Sequence, residues 1–493
     1  MKEKGEGTIK LVLLTIFVII GLVPLNLFLF ILPEWLELVL SAVLVICTVS
    51  YYIRVKKKVR NKVLITVFSL LFICIAIFGS YFNPLWNSTN FRKASSSLQY
   101  NEIISYEDAK EDLDYMMKYL GKNHPACIKG IPSEVKSAYK QALNSLKEKQ
   151  SITVTNVWQE AQKILSLMKD AHTTTYNRYT DEHYFKYTKQ KSDENAILYK
   201  INNVPVEDFF HENTNLFSYE TESWGLKTLT DYITSWESLY FLGFNPENGI
   251  DFTFMYQDGT VETEHYDKDD FITHEQYLYY NHIITAANTS FVSYKIDEEK
   301  NLAILTLTEC NYNDTYKKCL KSMFQVLKEK NITNLAVDLR NNGGGNSKVA
   351  EELIRYLDVE SYRVGQEKLR LGPIIINTGE NIIKNNRYDD LLFTGNLYLL
   401  TSSKTFSSAM LFTEYINAND LGVVIGEAPG NTPTGYGEAS NFCMPNSGIG
   451  FQISIKKFVR ADNKEELENS DLVNPDIPCA ADDVMQVLLE QIH

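Results

Sequence analysis

The sequence predicts a mixed α/β protein preceded by three transmembrane helices. Residues 1–82 contain three long apolar runs. From residue 302 onwards, a strand, an amphipathic helix and a second strand follow one another, which is the βαβ pattern of an α/β fold. A chain of 493 residues has room for both parts and for additional domains.

The three apolar runs are residues 11–32, 36–53 and 63–82, and each is close to the roughly 20 residues that span a bilayer as a helix. One cleavable signal would be shorter and would not be followed by further spans. The loop of residues 54–62 carries six cations, which favour the cytoplasmic side. Alternation then predicts a multi-pass protein of the cell membrane that contacts the lipid bilayer, with a cytoplasmic N-terminus and an extracytoplasmic region after residue 82.

Composition and spacing exclude several classes of partner. The net charge of −14 argues against nucleic acid. The eight histidines are scattered, and neither His-Glu-x-x-His nor a paired Cys-x-x-Cys spacing occurs, so we expect no metal and no cofactor. Five cysteines beyond residue 83 have irregular spacing and predict no disulfide framework.

Changes in periodicity divide the chain. Apolar residues at helical spacing, including Leu113, Met116 and Leu120, give way to period-two stretches, of which residues 201–206 resemble part of a PDZ domain. A generic strand and turn fits that segment equally well. The predicted boundaries are 1–82 for the transmembrane anchor, 83–100 for a linker, 101–178 for a helical subdomain ending in the His172 motif, 179–294 for a β-rich module and 295–493 for the α/β core.

Two strand-to-helix junctions in the core carry chemistry. Residues 338–345 read Asp-Leu-Arg-Asn-Asn-Gly-Gly-Gly, and such glycines let the backbone approach a ligand, although a plain tight turn would also use them. Residues 405–408 read Thr-Phe-Ser-Ser between a strand and a helix. A serine there can act as a nucleophile beside the donors of a helix start, or it can simply cap the helix.

Together these segments resemble peptidase family S41, the C-terminal-processing and tricorn-core serine peptidases. The likeness extends over residues 100–485 and includes Val-Asn-Pro-Asp at 473–476, similar to the family's closing Pro-Asp segment. It implies a crotonase-like (ClpP/crotonase) catalytic core, polypeptide substrates bound as extended chains, and hydrolysis through an acyl-enzyme.

The resemblance also implies roles for individual residues. Ser407 becomes the nucleophile, His172 the general base, and the N–H groups of Ser408 and Gly344 the oxyanion donors. Bacterial processing peptidases use a lysine instead of the histidine, but no lysine occurs between Lys404 and Lys456, which disfavours that arrangement.

A tricorn-like Ser/His site has an acid as its third member. Glu468 and Asp471 are the candidates, with Glu468 ranked slightly ahead. Asp170 is expected to be a helix-end residue, because neighbouring side chains rarely point at each other.

Two other functions remain open at the level of sequence. One is an inactive S41-like extracellular module that binds or senses peptides. The other is a membrane scaffold in which the three spans bind a partner and the outer region only assists. A reactive Ser407 would distinguish the enzyme from both.

Overall fold

The structure is a computed structural model that describes residues 98–176, 183–185, 196–256, 258–273, 276, 290–378, 381–461 and 472–492. The predicted transmembrane segments of residues 1–82 and the candidate acids Glu468 and Asp471 lie outside these ranges. Within them, no helix is both long enough and apolar enough to cross a membrane. The described residues up to Arg370 and from Ile375 onwards form one compact unit, which contains the whole candidate site.

The first described region is mainly helical. Ser105 caps its first helix by accepting a hydrogen bond from the Asp108 N–H, and the predicted apolar face with Leu113 and Leu120 is buried. The region ends in a short strand just beyond His172. Its elements are β1 (Ile103–Ile104), α1 (Tyr106–Asn123), α2 (Ser133–Glu148), β2 (Ile152–Thr153), α3 (Val154–Ser166) and β3 (Thr174–Tyr176).

The next region mixes strands with helices. It contains β4 (His183–Phe185), β5 (Ile197–Ile201), β6 (Val204–Pro205), α4 (Val206–Glu212), α5 (Glu222–Ile233), α6 (Trp236–Phe241), β7 (Ile250–Met255), β8 (Val261–Tyr266) and β9 (Phe271–Thr273). Four strands form a sheet in the order β6-β5-β7-β8.

The sequence predicted a β-rich module here but missed helices α5 and α6. The capping residues are Thr221 and Ser235, whose hydroxyls accept N–H groups of the first turn. Both helices are short, and a pattern of period-two alternation gives no indication of a helix that is marked only by its capping residue. At residues 201–206 the strand does lead into a helix through a turn, in which Asn202 and Asn203 have φ values of 44° and 68°.

A six-stranded sheet forms the centre of the core. Its strands are β10 (Val292–Asp297), β11 (Leu302–Leu307), β12 (Asn334–Asp338), β17 (Asn396–Thr401), β18 (Val423–Gly426) and β21 (Ile477–Pro478), in that spatial order. Only the β10–β11 pair is antiparallel. The helices of this part are α7 (Asp314–Lys330), α8 (Lys348–Ile354), α9 (Ser408–Asn417) and α10 (Val484–Gln491). The predicted strand, helix and strand from residue 302 are confirmed.

A second sheet brings distant parts of the chain together. It contains β14 (Gln366–Leu371), β15 (Ile374–Thr378), β19 (Gly435–Cys443) and β20 (Gly450–Val459) in the order β15-β14-β20-β19, and β3 also pairs with β20. A separate pair consists of β13 (Ser361–Arg363) and β16 (Ile382–Lys384). Because β3 begins two residues after His172, its pairing with β20 carries that histidine to the core.

The parallel register places the two predicted loops side by side. Asp338 at the end of β12 is opposite Leu400 near the end of β17. The glycine-rich loop and the serine loop therefore leave the sheet at the same edge, as neighbouring carboxyl ends of parallel strands do.

Candidate active site

Ser407 lies at a sharp turn immediately before α9. Its backbone has φ 54° and ψ −122°, a conformation that costs a non-glycine residue about 1–3 kcal/mol. Two hydrogen bonds hold the turn: the Ser407 N–H donates to Asn431 Oδ1 at 2.7 Å, and the Phe406 N–H donates to the Asn342 carbonyl at 3.0 Å. The strained turn is thus fixed from both neighbouring loops.

The structure brings His172 to Ser407 across 235 residues of sequence. His172 Nε2 is 3.1 Å from Ser407 Oγ, which is hydrogen-bonding distance. The imidazole also stacks on the Phe406 ring, with 4.7 Å between ring centroids. A serine hydroxyl and an imidazole are therefore in contact, and the imidazole packs against an aromatic ring of the serine's own loop.

Asp170 lies behind the histidine. Its Oδ1 accepts the His172 backbone N–H at 2.9 Å and is 3.8 Å from His172 Nδ1. Its Oδ2 lies 3.1 Å from His124 Nε2 and accepts the Thr173 hydroxyl at 2.6 Å. Asp170 lies in the turn that follows α3, as expected of a helix-end residue, and its carboxylate also approaches the His172 ring without a hydrogen bond to Nδ1.

Burial and charge act in opposite directions on the two groups. Burial alone would raise the pKa of Asp170, but the hydrogen bond and charge of His124 outweigh it and hold that pKa at about 2. Burial lowers the pKa of His172 below its ordinary value, against the opposing effects of the Asp170 carboxylate and the Tyr436 backbone. His172 is therefore neutral at pH 7, as a general base must be.

The two N–H groups predicted as oxyanion donors, those of Gly344 and Ser408, differ in their hydrogen bonding. The Gly344 N–H donates to Asn342 Oδ1 at 2.9 Å and is already occupied. In the described part of the chain, no acceptor is bound to the N–H groups of Gly345 and Ser408, and both residues line the cavity beside Ser407. Gly344 has a different importance, since a Cβ there would lie 2.7 Å from the Ser407 Cβ.

Sequence reasoning missed Glu220, which lies on the other side of the histidine loop. Its Oε1 accepts the Ala171 N–H at 3.4 Å, and its Oε2 accepts the N–H and hydroxyl of Thr432 at 2.9 and 2.8 Å. Burial, reinforced by the charge of Asp170, raises the pKa of Glu220 to about 8. No local motif surrounds this residue, so only the folded chain reveals its position.

Asp170, His172 and Glu220 form the one set of potential metal ligands found among the residues with described positions. Their donor atoms all lie within 4.8 Å of one another. Both Asp170 oxygens already accept hydrogen bonds, and Nε2 of His172 is directed at Ser407. A metal ion bound by this set would have to displace these contacts.

An open cavity of about 260 Å³ lies over Ser407. One side of it is formed by β19, an edge strand of the second sheet. The lining residues are His172, Gly345, Ser407, Ser408, Met410, Leu411, Asn431, Thr432, Gly435, Tyr436, Glu438, Ala439 and Phe458. The reactive pair is therefore open to a substrate along the edge of a sheet.

Comparison with known proteins agrees with this geometry. Residues 301–479 match the family model described as peptidase family S41. The crystal structure of mature CPAF is 13% identical, with coverage of 78% of this chain and 96% of that chain and a TM-score of 0.57. The structure of mature CPAF complexed with lactacystin is 12% identical, covers 78% and 97% respectively, and has a TM-score of 0.56. No curated protein matches the sequence.

At this low identity the CPAF structures show a shared fold, whereas the family match includes both loops that meet at Ser407. The chain is a serine-type peptidase, a hydrolase whose substrates are polypeptides. Its residues 301–479 match peptidase family S41 and contain both of these loops.

Proposed function

We propose that this protein is a membrane-anchored, extracytoplasmic serine endopeptidase in which Ser407 is the nucleophile and His172 the general base. The observation that carries the proposal is the 3.1 Å distance between His172 Nε2 and Ser407 Oγ. A serine hydroxyl alone is a weak nucleophile, and a neutral imidazole at this distance can take its proton.

The reaction follows from the positions of these groups. As Ser407 Oγ bonds to the scissile carbonyl carbon, its proton passes to Nε2. The carbonyl oxygen becomes an oxyanion, which the free N–H groups of Gly345 and Ser408 can stabilise. When the C–N bond breaks, His172 returns the proton to the leaving amine. A water molecule then attacks the acyl-enzyme as His172 takes its proton, and that proton passes to Ser407 Oγ when the acyl C–O bond breaks.

The charge on His172 during the reaction needs a counter-charge. Asp170, 3.8 Å from Nδ1, supplies one without a direct side-chain hydrogen bond to the ring. Among the described residues, no carboxylate is hydrogen-bonded to the buried Nδ1, and the Tyr436 backbone lies near enough to oppose the lowering of the pKa of His172. The proposal therefore includes Glu468 or Asp471 as the acid that orients His172. To do so, its carboxylate would have to reach Nδ1.

The edge strand suggests how a substrate binds. β19 is an edge strand of the second sheet, and it lines the cavity through Gly435 and Glu438. An extended polypeptide can pair with such an edge and present its carbonyl group to Ser407. The parallel sheet supports a crotonase-like core, and the strand-to-helix step at residues 201–206 supports a PDZ-like module.

Membrane anchoring is supported by the three apolar runs of residues 1–82 and by the basic loop 54–62 between them. Intact cells that express the full chain with a C-terminal tag can test this orientation. We expect added protease to remove the tag without lysis. A tag that is digested only after lysis would contradict the extracytoplasmic placement.

A fluorophosphonate probe tests the chemistry directly on full-length protein in detergent. We expect covalent labelling and cleavage of denatured protein substrates by the wild type, and neither by Ser407→Ala. Ser403→Ala, in the same loop, is the matched control and should label normally. Absence of labelling in the wild type, or labelling of Ser407→Ala, would overturn the assignment of the nucleophile.

A further inference from the structure

One segment of the mixed helix and strand region makes direct contact with the candidate active site. We name residues 220–224, which precede and begin α5, the clasp. Its first member, Glu220, accepts the Ala171 N–H through one oxygen and both donors of Thr432 through the other. Ala171 is next to His172, and Thr432 is next to Asn431, which holds the Ser407 N–H. A single carboxyl thus connects the loops of the base and of the nucleophile.

Two other members of the clasp contact the same loops. The Thr221 hydroxyl donates to the Gly430 carbonyl at 2.7 Å. The Trp224 ring stacks on Phe406 with 3.8 Å between ring centroids and 11° between ring planes. Phe406 immediately precedes the nucleophile and also stacks on His172. Aromatic pairs of this kind contribute about 0.5–1.5 kcal/mol beyond the area they bury.

We propose that the clasp positions His172 and Ser407 for reaction, with Glu220 and Trp224 as its principal positioning residues. This inference rests on the proposed function of that pair. Its physical basis is that a reactive pair is sensitive to sub-ångström displacement, and about 1 Å of misplacement can cost about 10²-fold in rate. The clasp ties both partners to one rigid helix start, so the Nε2–Oγ distance does not depend on either loop alone.

The hydrogen-bond donors around Glu220 connect it specifically to the two loops of the site. Glu220 is partly buried, and removal of a carboxyl from water needs compensation by hydrogen bonds. Here the compensating donors all belong to the two catalytic loops. A Cβ on Gly435 would lie 2.9 Å from Glu220 Oε2, so the neighbouring strand start is also shaped around this carboxyl.

The test compares substitutions in the full-length protein by steady-state peptide hydrolysis and by the rate of fluorophosphonate labelling. For Glu220→Ala we expect kcat to fall about 10–100-fold while KM changes less than about threefold, because the substrate cavity is retained but the reacting pair is loosened. Glu220→Gln keeps an oxygen that can accept from Thr432. Its log kcat should therefore lie at least one third of the way from the Glu220→Ala value to the wild-type value. Glu212→Ala is the matched control, since that residue lies outside the clasp on an exposed position at the end of α4 and should leave both constants unchanged.

Trp224→Leu provides a second test that leaves the carboxyl untouched. We expect about a tenfold fall in kcat, again without a matching change in KM, and a labelled fraction equal to that of the wild type at completion. Wild-type labelling kinetics in both Glu220→Ala and Trp224→Leu would overturn the clasp while the proposed function stands. If the wild type itself were not labelled at Ser407, the proposed function would fail first. If Glu220 were only structural, both Glu220→Ala and Glu220→Gln would lower the melting temperature, and Glu220→Gln would not recover kcat relative to Glu220→Ala. That result would overturn the positioning role.

Discussion

Replacement of Gly344 by alanine is the sharpest test of how the nucleophile loop is built. Gly344 has φ +103°, and a Cβ there would lie 2.7 Å from the Ser407 Cβ and 2.8 Å from the Phe406 carbonyl oxygen. To restore ordinary contact at 3.4 Å, the serine loop must move by about 0.7 Å. Since 1 Å of misplacement costs about 10²-fold, we expect labelling of Ser407 to slow by about 30–100-fold. Backbone strain should also lower the free energy of unfolding by about 1–3 kcal/mol.

The assay is the second-order rate of fluorophosphonate labelling, measured beside a chemical-denaturation curve. Gly343→Ala is the matched control, because a Cβ there meets nothing within 4 Å and the backbone is not in the left-handed region. That variant should label within about twofold of the wild type. The reasoning would be refuted if Gly344→Ala labelled as fast as Gly343→Ala, or if the control lost as much activity as the test variant.

Three other predictions concern groups around the reactive pair. Burial lowers the pKa of His172, and only the neutral ring can accept a proton. The value of kcat/KM should therefore rise with pH to a plateau, and the midpoint of the rise should lie below pH 6.5. A midpoint above pH 6.5 would contradict this. Asn431→Ala leaves the Ser407 N–H without its acceptor and should slow labelling by about tenfold or more, whereas Asn441→Ala, on an exposed position, should not. The pKa of Glu220 is raised from 4.5 to about 8, so the folded state retains a proton that the unfolded state loses. The free energy of unfolding should therefore fall as pH rises between these values, by up to about 1.4 kcal/mol per pH unit. Urea denaturation of the wild type and of Glu220→Gln at several pH values measures this. Only the wild type should show the slope, and the slope should vanish below pH 4.5.

The core was predictable because its signals are local. The strand at residue 302, the glycine-rich loop and the serine loop each combine a buried strand with a distinctive turn, and parallel strands necessarily place such turns at one edge. The family resemblance then directed attention to His172. Its distance of 3.1 Å from Ser407 depends on the pairing of β3 with β20, which no local pattern contains.

The details that sequence reasoning missed depend on side-chain contacts. Three consecutive glycines look equivalent in sequence, and only the bond from the Gly344 N–H to Asn342 shows that the free donor is one residue further on. Asp170 was expected only as a helix-end residue, yet its carboxylate also approaches the His172 ring. Glu220 lies in no motif, and its importance comes entirely from contacts with residues more than 45 positions away along the chain.

The pairing of β3 with β20 also has a consequence for synthesis of the chain. Strand β3 leaves the ribosome long before β20, and His172 precedes Ser407 by 235 residues. At about 5–20 residues per second, a nascent chain spends about 10–50 s with the base made and the nucleophile absent. The histidine cannot reach its position beside Ser407 until β20 has been made, so a chain that ends before β20 lacks the geometry of the reactive pair. The order of the elements thus makes synthesis through β20 a precondition of the proposed proteolysis.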